Sequence, residues 1–269
     1  MEKVRTRFAP SPTGNPHIGN IRTAFFTYLF TRHQNGKFLL RIEDTDKSRE
    51  VEGSAEGILG SLEWLDIEID EKPILQSSNF EIHKKHAYEL VEKGLAYEQD
   101  GAIYFKVPKV GQTSWVDLIG NKKIVFENKV EKDFVILRSN ATPLYHLAAT
   151  IDDHLMGITH VIRGDDWVSS TPKHIMIYQA FGWKVPQFAH VPQVLATDRS
   201  KLSKRHGAVG VFDFKKDGYL PEAIRNYIAL LGWTPKFEKE VLNLDEMIKE
   251  FDLKDIHIAP AVFDYTKLA

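Results

Sequence analysis

The chain has 269 residues, of which 43% are hydrophobic and 27% charged, a globular composition that excludes disordered and collagen-like proteins. It carries 35 Lys+Arg against 37 Asp+Glu, so its overall charge neither indicates nor excludes a nucleic-acid partner. The absence of cysteine excludes disulfides, thiolate metal sites and cysteine nucleophiles. We expect no secretory signal, because the first residues lack an apolar segment, and the sequence has no apolar run of roughly 18 residues that could span a bilayer. We expect a cytoplasmic monomer without membrane association.

The first 70 residues alternate between strand and helix patterns. A short strand at 4–8 runs into a loop at 9–16 that is rich in proline and glycine. A helix follows from about Gly19 to Asn35, then a strand at 38–42 and a helix at 54–65. This order predicts a doubly wound parallel sheet.

The middle of the chain has a different pattern. Ser78 and Glu81 are spaced as a capping box, which predicts a helix that starts there and ends near Gly94. Four short stretches rich in β-formers follow at 102–107, 113–118, 123–126 and 134–137. They predict a small, mostly antiparallel insert.

The strand and helix pattern returns after about residue 145. A strand is predicted at 158–162, and a helix with Thr171 as N-cap and Pro172 at its first position ends at Gly182. Helices dominate from residue 207, notably at 220–231 and 245–251. We therefore predict an α/β fold: a Rossmann-type doubly wound parallel sheet interrupted by a small α+β insert and followed by a mainly helical C-terminal segment. The expected boundaries are 1–72, 73–144, 145–206 and 207–269.

Two short motifs indicate phosphate binding. His17 and Gly19 stand where the first helix begins, and a helix N-terminus attracts phosphate. Lys201 and Lys204 flank Ser203 in a basic stretch, and both lysines could reach one polyphosphate. Taken separately, the first motif is more often a plain helix start with a surface histidine. The second is more often a solvated charged loop.

Together the two motifs resemble those of a class I aminoacyl-tRNA synthetase. Five ordered stretches resemble the bacterial-type glutamyl-tRNA synthetase family, over nearly the whole chain. They are Arg7-Phe8-Ala9-Pro10-Ser11-Pro12-Thr13-Gly14, Arg41-Ile42-Glu43-Asp44-Thr45-Asp46, Gly157-Ile158-Thr159-His160-Val161-Ile162-Arg163-Gly164, Leu202-Ser203-Lys204-Arg205-His206-Gly207-Ala208 and Gly218-Tyr219-Leu220-Pro221-Glu222-Ala223.

The resemblance implies the roles of individual residues. The residues that match the family's glutamate pocket are Arg7, Ser11, Glu43, Tyr145 and Arg163. Those that match its ATP site are His17, Gly19, Asp166, Val194, Lys201, Ser203, Lys204 and Arg205. Glu43 suits the substrate ammonium, and the arginines suit its two carboxylates; which arginine takes which carboxylate stays open. His17 and Lys204 are the expected catalytic residues.

The implied activity is that of a glutamate–tRNA ligase. Glutamate is activated with ATP to glutamyl-adenylate and transferred to the 3′ end of tRNA(Glu). Mg²⁺ would accompany ATP, and neither zinc nor a metal held by the protein itself is expected. The implied segments are a Rossmann catalytic domain in two halves (1–72 and 145–206), an acceptor-stem-binding insert (73–144) and a helical stem-contact region (207–269). The expected partners are glutamate, ATP and the acceptor arm of tRNA, whose prior binding is commonly needed in this family.

Two departures from the family pattern leave alternatives open. The insert is shortened after Tyr97, and the chain stops at residue 269, where the family continues into anticodon-binding domains. A truncated form and a naturally reduced enzyme are both compatible with this, and tRNA(Glu) is not distinguished from tRNA(Gln). One alternative is a glutamyl-queuosine tRNA(Asp) synthetase, which has the same core. The other is a non-catalytic tRNA-binding paralogue, against which the intact His17, Gly19, Lys201 and Lys204 argue.

Overall fold

A computed structural model describes residues 3–200, 202, 210–236 and 239–268. No helix within these ranges has both the length and the apolar character needed to cross a membrane. In chain order the elements are β1 (Arg5–Phe8), α1 (Ile18–His33), β2 (Lys37–Ile42), α2 (Ser54–Trp64), β3 (Ile74–Leu75), α3 (Phe80–Glu92), β4 (Ala96–Gln99), β5 (Ala102–Phe105), β6 (Gln112–Asp117), β7 (Lys122–Glu127), β8 (Phe134–Leu137), α4 (Tyr145–Leu155), β9 (His160–Gly164), α5 (Thr171–Phe181), β10 (Gln187–Val191), β11 (Val194–Leu195), α6 (Val211–Lys216), α7 (Pro221–Leu230), α8 (Leu244–Glu250), β12 (Ala261–Val262) and α9 (Tyr265–Leu268).

The central sheet is built from two parallel parts that meet at β1 and β9. In one part β2 lies between β1 and β3, and in the other β9 pairs with β10. The backbone N–H of Thr159, next to β9, donates to the carbonyl of Arg5 on β1 at 2.9 Å. The strand order is thus β3-β2-β1-β9-β10. The chain adds strands outward on one side of β1 and then on the other, so the order reverses between β1 and β9. The predicted Rossmann-type α/β fold is confirmed, and such sheets bind ligands outside the strand carboxyl ends at this switch point.

Helix α1 is buried on nearly all sides, because the sheet covers one face and α7 and α8 cover the other. The ring of Phe26 on α1 lies 5.3 Å from that of Phe251, which in turn lies 5.4 Å from Trp233. Burying a large apolar side chain contributes roughly 1.5–3 kcal/mol. The mainly helical C-terminal segment, which matches the prediction, therefore shares the core of the parallel sheet.

The predicted capping box of α3 is wrong. The helix begins at Phe80, and Asn79 before it makes no side-chain cap. The Ser78 hydroxyl donates to the carbonyl of Leu75 at 2.6 Å, while the Asn79 amide donates to the Asp152 carboxylate at 2.9 Å. Both side chains are used by other partners, one of which is more than 70 positions away.

The strands expected to form one antiparallel insert lie in two different sheets. β4, β5 and β8 form an antiparallel sheet of their own. The β6–β7 hairpin instead joins the parallel sheet, because Asp117 on β6 pairs in parallel with Phe188 on β10. Trp115 on β6 packs edge-on against Phe188, with ring centres 6.4 Å apart. The division of the chain at residues 72, 144 and 206 stays a prediction.

A two-residue turn closes the hairpin between β4 and β5. Asp100 and Gly101 both have positive φ, at 51° and 76°, as a type I′ turn requires. A Cβ at residue 101 would lie 3.4 Å from the Cβ of Ser139. Asp and Gly therefore meet the conformational demand of this turn at low cost.

Candidate active site

A cavity of about 460 Å³ opens at the carboxyl ends of the parallel strands. Every described residue that the sequence analysis assigned to a site lines it: Arg7, Ser11, His17, Gly19, Glu43, Tyr145, Arg163, Asp166 and Val194. Lys201, Ser203, Lys204 and Arg205 lie outside the described residues. Leu202, which is described, also lines the cavity. The fold thus gathers residues from positions 7 to 202 around one space.

His17 caps the helix whose N-terminus faces the cavity. Helix α1 begins at Ile18, one residue earlier than predicted, and the His17 Nδ1 accepts the backbone N–H of Gly19 at 3.1 Å. In the neutral ring Nε2 therefore carries the hydrogen and can donate to an anion. A Cβ at residue 19 would lie only 3.1 Å from the imidazole ring. Glycine at this position lets the ring approach the helix start.

A buried ion-pair network connects two cavity-lining residues, Arg7 and Glu43. Arg7 on β1 binds both oxygens of Asp153, at 2.8 and 3.2 Å. Arg41 on β2 donates to the same carboxylate at 2.6 Å and to Glu43 at 2.9 Å. Asp152 beside it accepts from Gln76, Asn79 and His83. Asp153 therefore fixes two arginines from neighbouring strands, and Arg41 fixes Glu43.

Burial and neighbouring charges shift the pKa values of the acids in this network in different directions. Burial raises the pKa of Asp153, but the charges of Arg41 and Arg7 outweigh it and hold that pKa below its ordinary value. At Glu43 burial prevails over Arg41, so the pKa of that carboxyl is raised. Burial also raises the pKa of the Tyr145 hydroxyl, to about 12. Tyr145 therefore stays a hydrogen-bond donor at neutral pH.

Arg163, at the end of β9, is held differently from Arg7. Its Nη2 donates to the Thr171 hydroxyl at 2.8 Å and its Nε to His190 at 3.3 Å, while Nη1 lies 3.5 Å from the Tyr145 hydroxyl. No carboxylate in the described part of the chain forms an ion pair with it. Arg163 is only 6% exposed, so it is a buried cation whose close partners are neutral.

Thr171, which binds Arg163, is not the N-cap of α5 that the sequence predicts. Ser170, not Thr171, is the N-cap of α5, and Thr171 is the first helical residue. Its hydroxyl lies between the Arg163 guanidinium and the Trp167 carbonyl. The predicted stop at Gly182, which has a left-handed conformation, is confirmed.

A second buried arginine, Arg22 on α1, also lines the cavity. Its guanidinium donates to the backbone carbonyls of Leu231 and Pro192. Among the described residues it too has no carboxylate in ion-pair contact. Burial lowers its pKa to about 10, which leaves it charged at neutral pH. Two buried cations with neutral partners make this cavity suited to anionic ligands, since burial strengthens charge interactions.

Asp166 and Val194 are the remaining predicted residues that line the cavity. Asp166 accepts a hydrogen bond from the Gln193 amide at 2.6 Å. Val194 on β11 is buried and approaches Gly19, where a Cβ would meet its methyl group at 4.0 Å. The ring of Tyr145 packs on Trp167 with centres 4.5 Å apart.

The sequence motifs assign no role to Arg22, Arg41, Asp153, His190 or Asp117, which the structure places in or behind the cavity wall. The adjacent acids at 152 and 153 stand on an otherwise apolar helix face, and both are buried. Such a pair signals buried cationic partners, because charges are rarely buried unpaired. Within the described residues, no cluster of three or more His, Asp or Glu side chains has an arrangement that could hold a metal ion.

Comparison with known proteins agrees with this geometry. Residues 3–102 and 98–269 match the family of class I tRNA synthetases (E and Q), catalytic domain. The chain belongs to this family. The glutamate–tRNA ligase of Dehalococcoides mccartyi is 43% identical over 310 residues, covering 99% of this chain and 64% of that protein. That of Acholeplasma laidlawii is 46% identical over 285 residues, covering 100% and 63%.

A solved structure has the same fold as this tRNA synthetase domain. It is a glutamate tRNA ligase from Elizabethkingia meningosepticum in complex with its amino acid, with a TM-score of 0.93 and 34% identity. The match covers 99% of this chain and 68% of that one. The chain thus spans about 64% of the length of the curated relatives it matches.

The two matched parts of the family overlap at residues 98–102, which include the Asp100–Gly101 turn. The D. mccartyi alignment is 310 residues long although this chain has 269. That relative therefore carries residues within the aligned region that this chain lacks. The overlap falls at the place where the sequence predicts a shortened insert.

Proposed function

We propose that this chain is a glutamate–tRNA ligase catalytic core that activates L-glutamate with ATP and transfers it to the 3′ end of tRNA(Glu). The observation that carries the proposal is the charge pattern of the cavity. Arg163 is a buried cation without a carboxylate partner among the described residues, and it faces a site that also contains Glu43. Glutamate has two carboxylates and one ammonium, so its charges complement these groups.

The geometry also favours a division of labour between the two arginines. Arg7 already binds Asp153 through Nε and Nη2, so only part of its guanidinium is available to a ligand. Arg163 has only neutral partners among the described residues, so its charge is the one that a substrate carboxylate would compensate. Glu43 would bind the ammonium, with Ser11 and the Tyr145 hydroxyl as further polar contacts.

The proposed reaction has two steps. An oxygen of the α-carboxylate attacks the α-phosphorus of ATP in line, and the bond to pyrophosphate breaks, which gives glutamyl-adenylate. A terminal ribose hydroxyl of the tRNA then attacks the activated carbonyl, the bond to AMP breaks, and the hydroxyl proton leaves with AMP. Catalysis consists of positioning and of stabilising charge on phosphate oxygens. His17 and Lys204 would donate to these oxygens, and Gly19, Asp166, Val194, Lys201, Ser203 and Arg205 would line the nucleotide site. Mg²⁺ enters with ATP, held mainly by the phosphates.

Glutamate-dependent exchange of pyrophosphate into ATP, with and without tRNA, tests this function. We expect exchange with glutamate and not with aspartate or glutamine, and labelled glutamate on tRNA(Glu). Label on tRNA(Asp) instead would indicate the queuosine-specific alternative. No exchange under any condition would indicate the non-catalytic paralogue.

A matched pair of histidine variants separates the proposed catalytic role from a general effect on α1. His17→Ala should reduce the exchange rate on the order of 100-fold, the typical cost of losing one donor to a developing oxyanion. His33→Ala, at the other end of the same helix, removes a ring bonded to the Ile248 carbonyl and should leave the rate unchanged. Equal losses in both variants would contradict the role of His17.

A further inference from the structure

A row of three buried side chains leads from the β6–β7 hairpin to the cavity. Asp117 Oδ2 lies 2.5 Å from His190 Nδ1, and His190 Nε2 lies 3.3 Å from the Nε of Arg163. The Thr171 hydroxyl, which can donate or accept, lies 3.0 Å from the same Nε2. Each of the three is at most 6% exposed. Arg163 lines the cavity, whereas Asp117 and His190 stand behind it. The proposed reaction uses neither of them.

Asp117 determines which nitrogen of His190 carries the hydrogen. Its Oδ1 accepts the backbone N–H groups of Ile119 and His190, at 3.2 and 3.1 Å. Its Oδ2 faces the ring and also lies 3.4 Å from the indole N–H of Trp115. A carboxylate only accepts, so His190 Nδ1 must donate to it. In the neutral ring Nε2 is then an acceptor for the Nε–H of Arg163, which can only donate.

The other tautomer would set two N–H groups against each other. A doubly protonated ring would add a second positive charge beside Arg163. The charged groups that act on His190 are Asp117, Arg163 and Asp165. Burial lowers the pKa of His190, and the charge of Arg163 lowers it further, although the hydrogen bond to Asp117 opposes both. A neutral ring with its hydrogen on Nδ1 satisfies all of these contacts.

We propose that Asp117 and His190 are positioning residues that orient the Arg163 guanidinium toward a substrate carboxylate. His190 holds Nε of Arg163, Thr171 holds Nη2, and Nη1 remains next to the cavity-lining hydroxyl of Tyr145. This inference rests on the proposed function, in which Arg163 binds a glutamate carboxylate. Asp117 acts at a distance because it keeps His190 in the acceptor form.

The variant Asp117→Asn tests the inference by changing one atom. The amide oxygen must stay on the side of the two backbone N–H donors, so the amide nitrogen faces His190. That nitrogen donates to Nδ1 and moves the ring hydrogen to Nε2, against Arg163. We expect the KM for glutamate to rise roughly 10- to 100-fold, as for the loss of a hydrogen bond to a charged group. The KM for ATP should change little.

A second substitution separates positioning from a structural role. In Asp117→Asn/His190→Gln, residue 190 has no tautomers, and its carboxamide oxygen can accept from Arg163 even though the amide introduced at position 117 also donates toward residue 190. We expect the KM for glutamate in this double variant to return most of the way to that of the unmodified chain. A purely structural role of Asp117 would not allow this return. Asp70→Asn is the matched control, because Asp70 also accepts a backbone N–H, from Phe38, and pairs with a surface arginine, Arg32. It should leave the glutamate KM unchanged.

Nitrogen-15 NMR of the histidine rings and arginine Nε–H groups keeps the inference testable apart from the proposed function. We expect the Nδ1–H form of His190 in the unmodified chain, the Nε2–H form in Asp117→Asn, and a shifted Arg163 Nε–H signal in that variant. These shifts in a chain that shows no exchange would support the positioning of Arg163 and contradict the proposed reaction. An unchanged tautomer, or a changed tautomer with an unchanged Arg163 signal or glutamate KM, would overturn the inference.

Discussion

Replacing Arg7 or Arg163 with methionine should affect the free energy of unfolding to very different extents. Arg7→Met breaks a two-bond contact with buried Asp153, and breaking such a pair costs roughly 3–5 kcal/mol. Arg41 still compensates Asp153, so we expect the lower end of that range. Arg163→Met loses hydrogen bonds to neutral partners, each contributing about 1 kcal/mol. It also removes the desolvation of an unpaired cation, which costs several kcal/mol. The free energy of unfolding should therefore change by less than about 1 kcal/mol, or rise.

Urea unfolding of the two variants measures this difference, provided that the slope with urea concentration stays constant. In the exchange assay Arg163→Met should lower kcat/KM for glutamate by about 10²- to 10³-fold, because a substrate carboxylate would lose its cation. Arg32→Met, which removes a half-buried partner of Asp70 away from the cavity, should leave kcat/KM for glutamate unchanged. If Arg163→Met destabilises the chain as strongly as Arg7→Met does, Arg163 is a structural cation and not one held ready for a substrate carboxylate.

Three further predictions concern other parts of the molecule. Lys204→Ala should lower kcat for adenylate formation on the order of 100-fold; a raised KM with unchanged kcat would contradict its transition-state role. Burial raises the pKa of Asp153, but the charges of Arg41 and Arg7 outweigh burial and hold this pKa below its value in the unfolded chain. The resulting stability should be present above about pH 4 and lost as the pH falls through the folded pKa. Asp153→Asn should abolish this part of the acid dependence in urea titrations, and an unchanged acid limb would refute the assignment. Gly101→Val should cost about 1–2 kcal/mol of unfolding free energy because φ is positive there, whereas Gly101→Asn should cost less.

Much of the fold could be predicted because glycine and proline residues in the sequence coincide with the ends of helices and strands. Gly182 ends α5 as expected, and the loop at 9–16 separates β1 from α1 as its prolines indicate. The parallel sheet also explains why residues far apart in the chain line one cavity, since the carboxyl ends of its strands face the same space.

The partners of the polar side chains could not be predicted. Asp153 binds two arginines that lie 146 and 112 positions away, and no local pattern specifies such pairs. The predicted capping role of Ser78 is wrong for a related reason. A hydroxyl near a helix start has several possible partners, and tertiary packing decides among them. The tautomer of His190 depends on a carboxylate 73 positions away.

The turn at Asp100 and Gly101 is a position at which additional residues can be inserted between β4 and β5. The two strands of the hairpin are held by their own pairing and by β8, so neither depends on the length of the loop between them. Closing a flexible loop of about 40 residues in place of two costs only roughly 3 kcal/mol, because closure entropy grows with the logarithm of length. A domain with a typical stability of about 5–15 kcal/mol can tolerate that loss. A longer connection at this turn is therefore compatible with the same pairing of β4, β5 and β8.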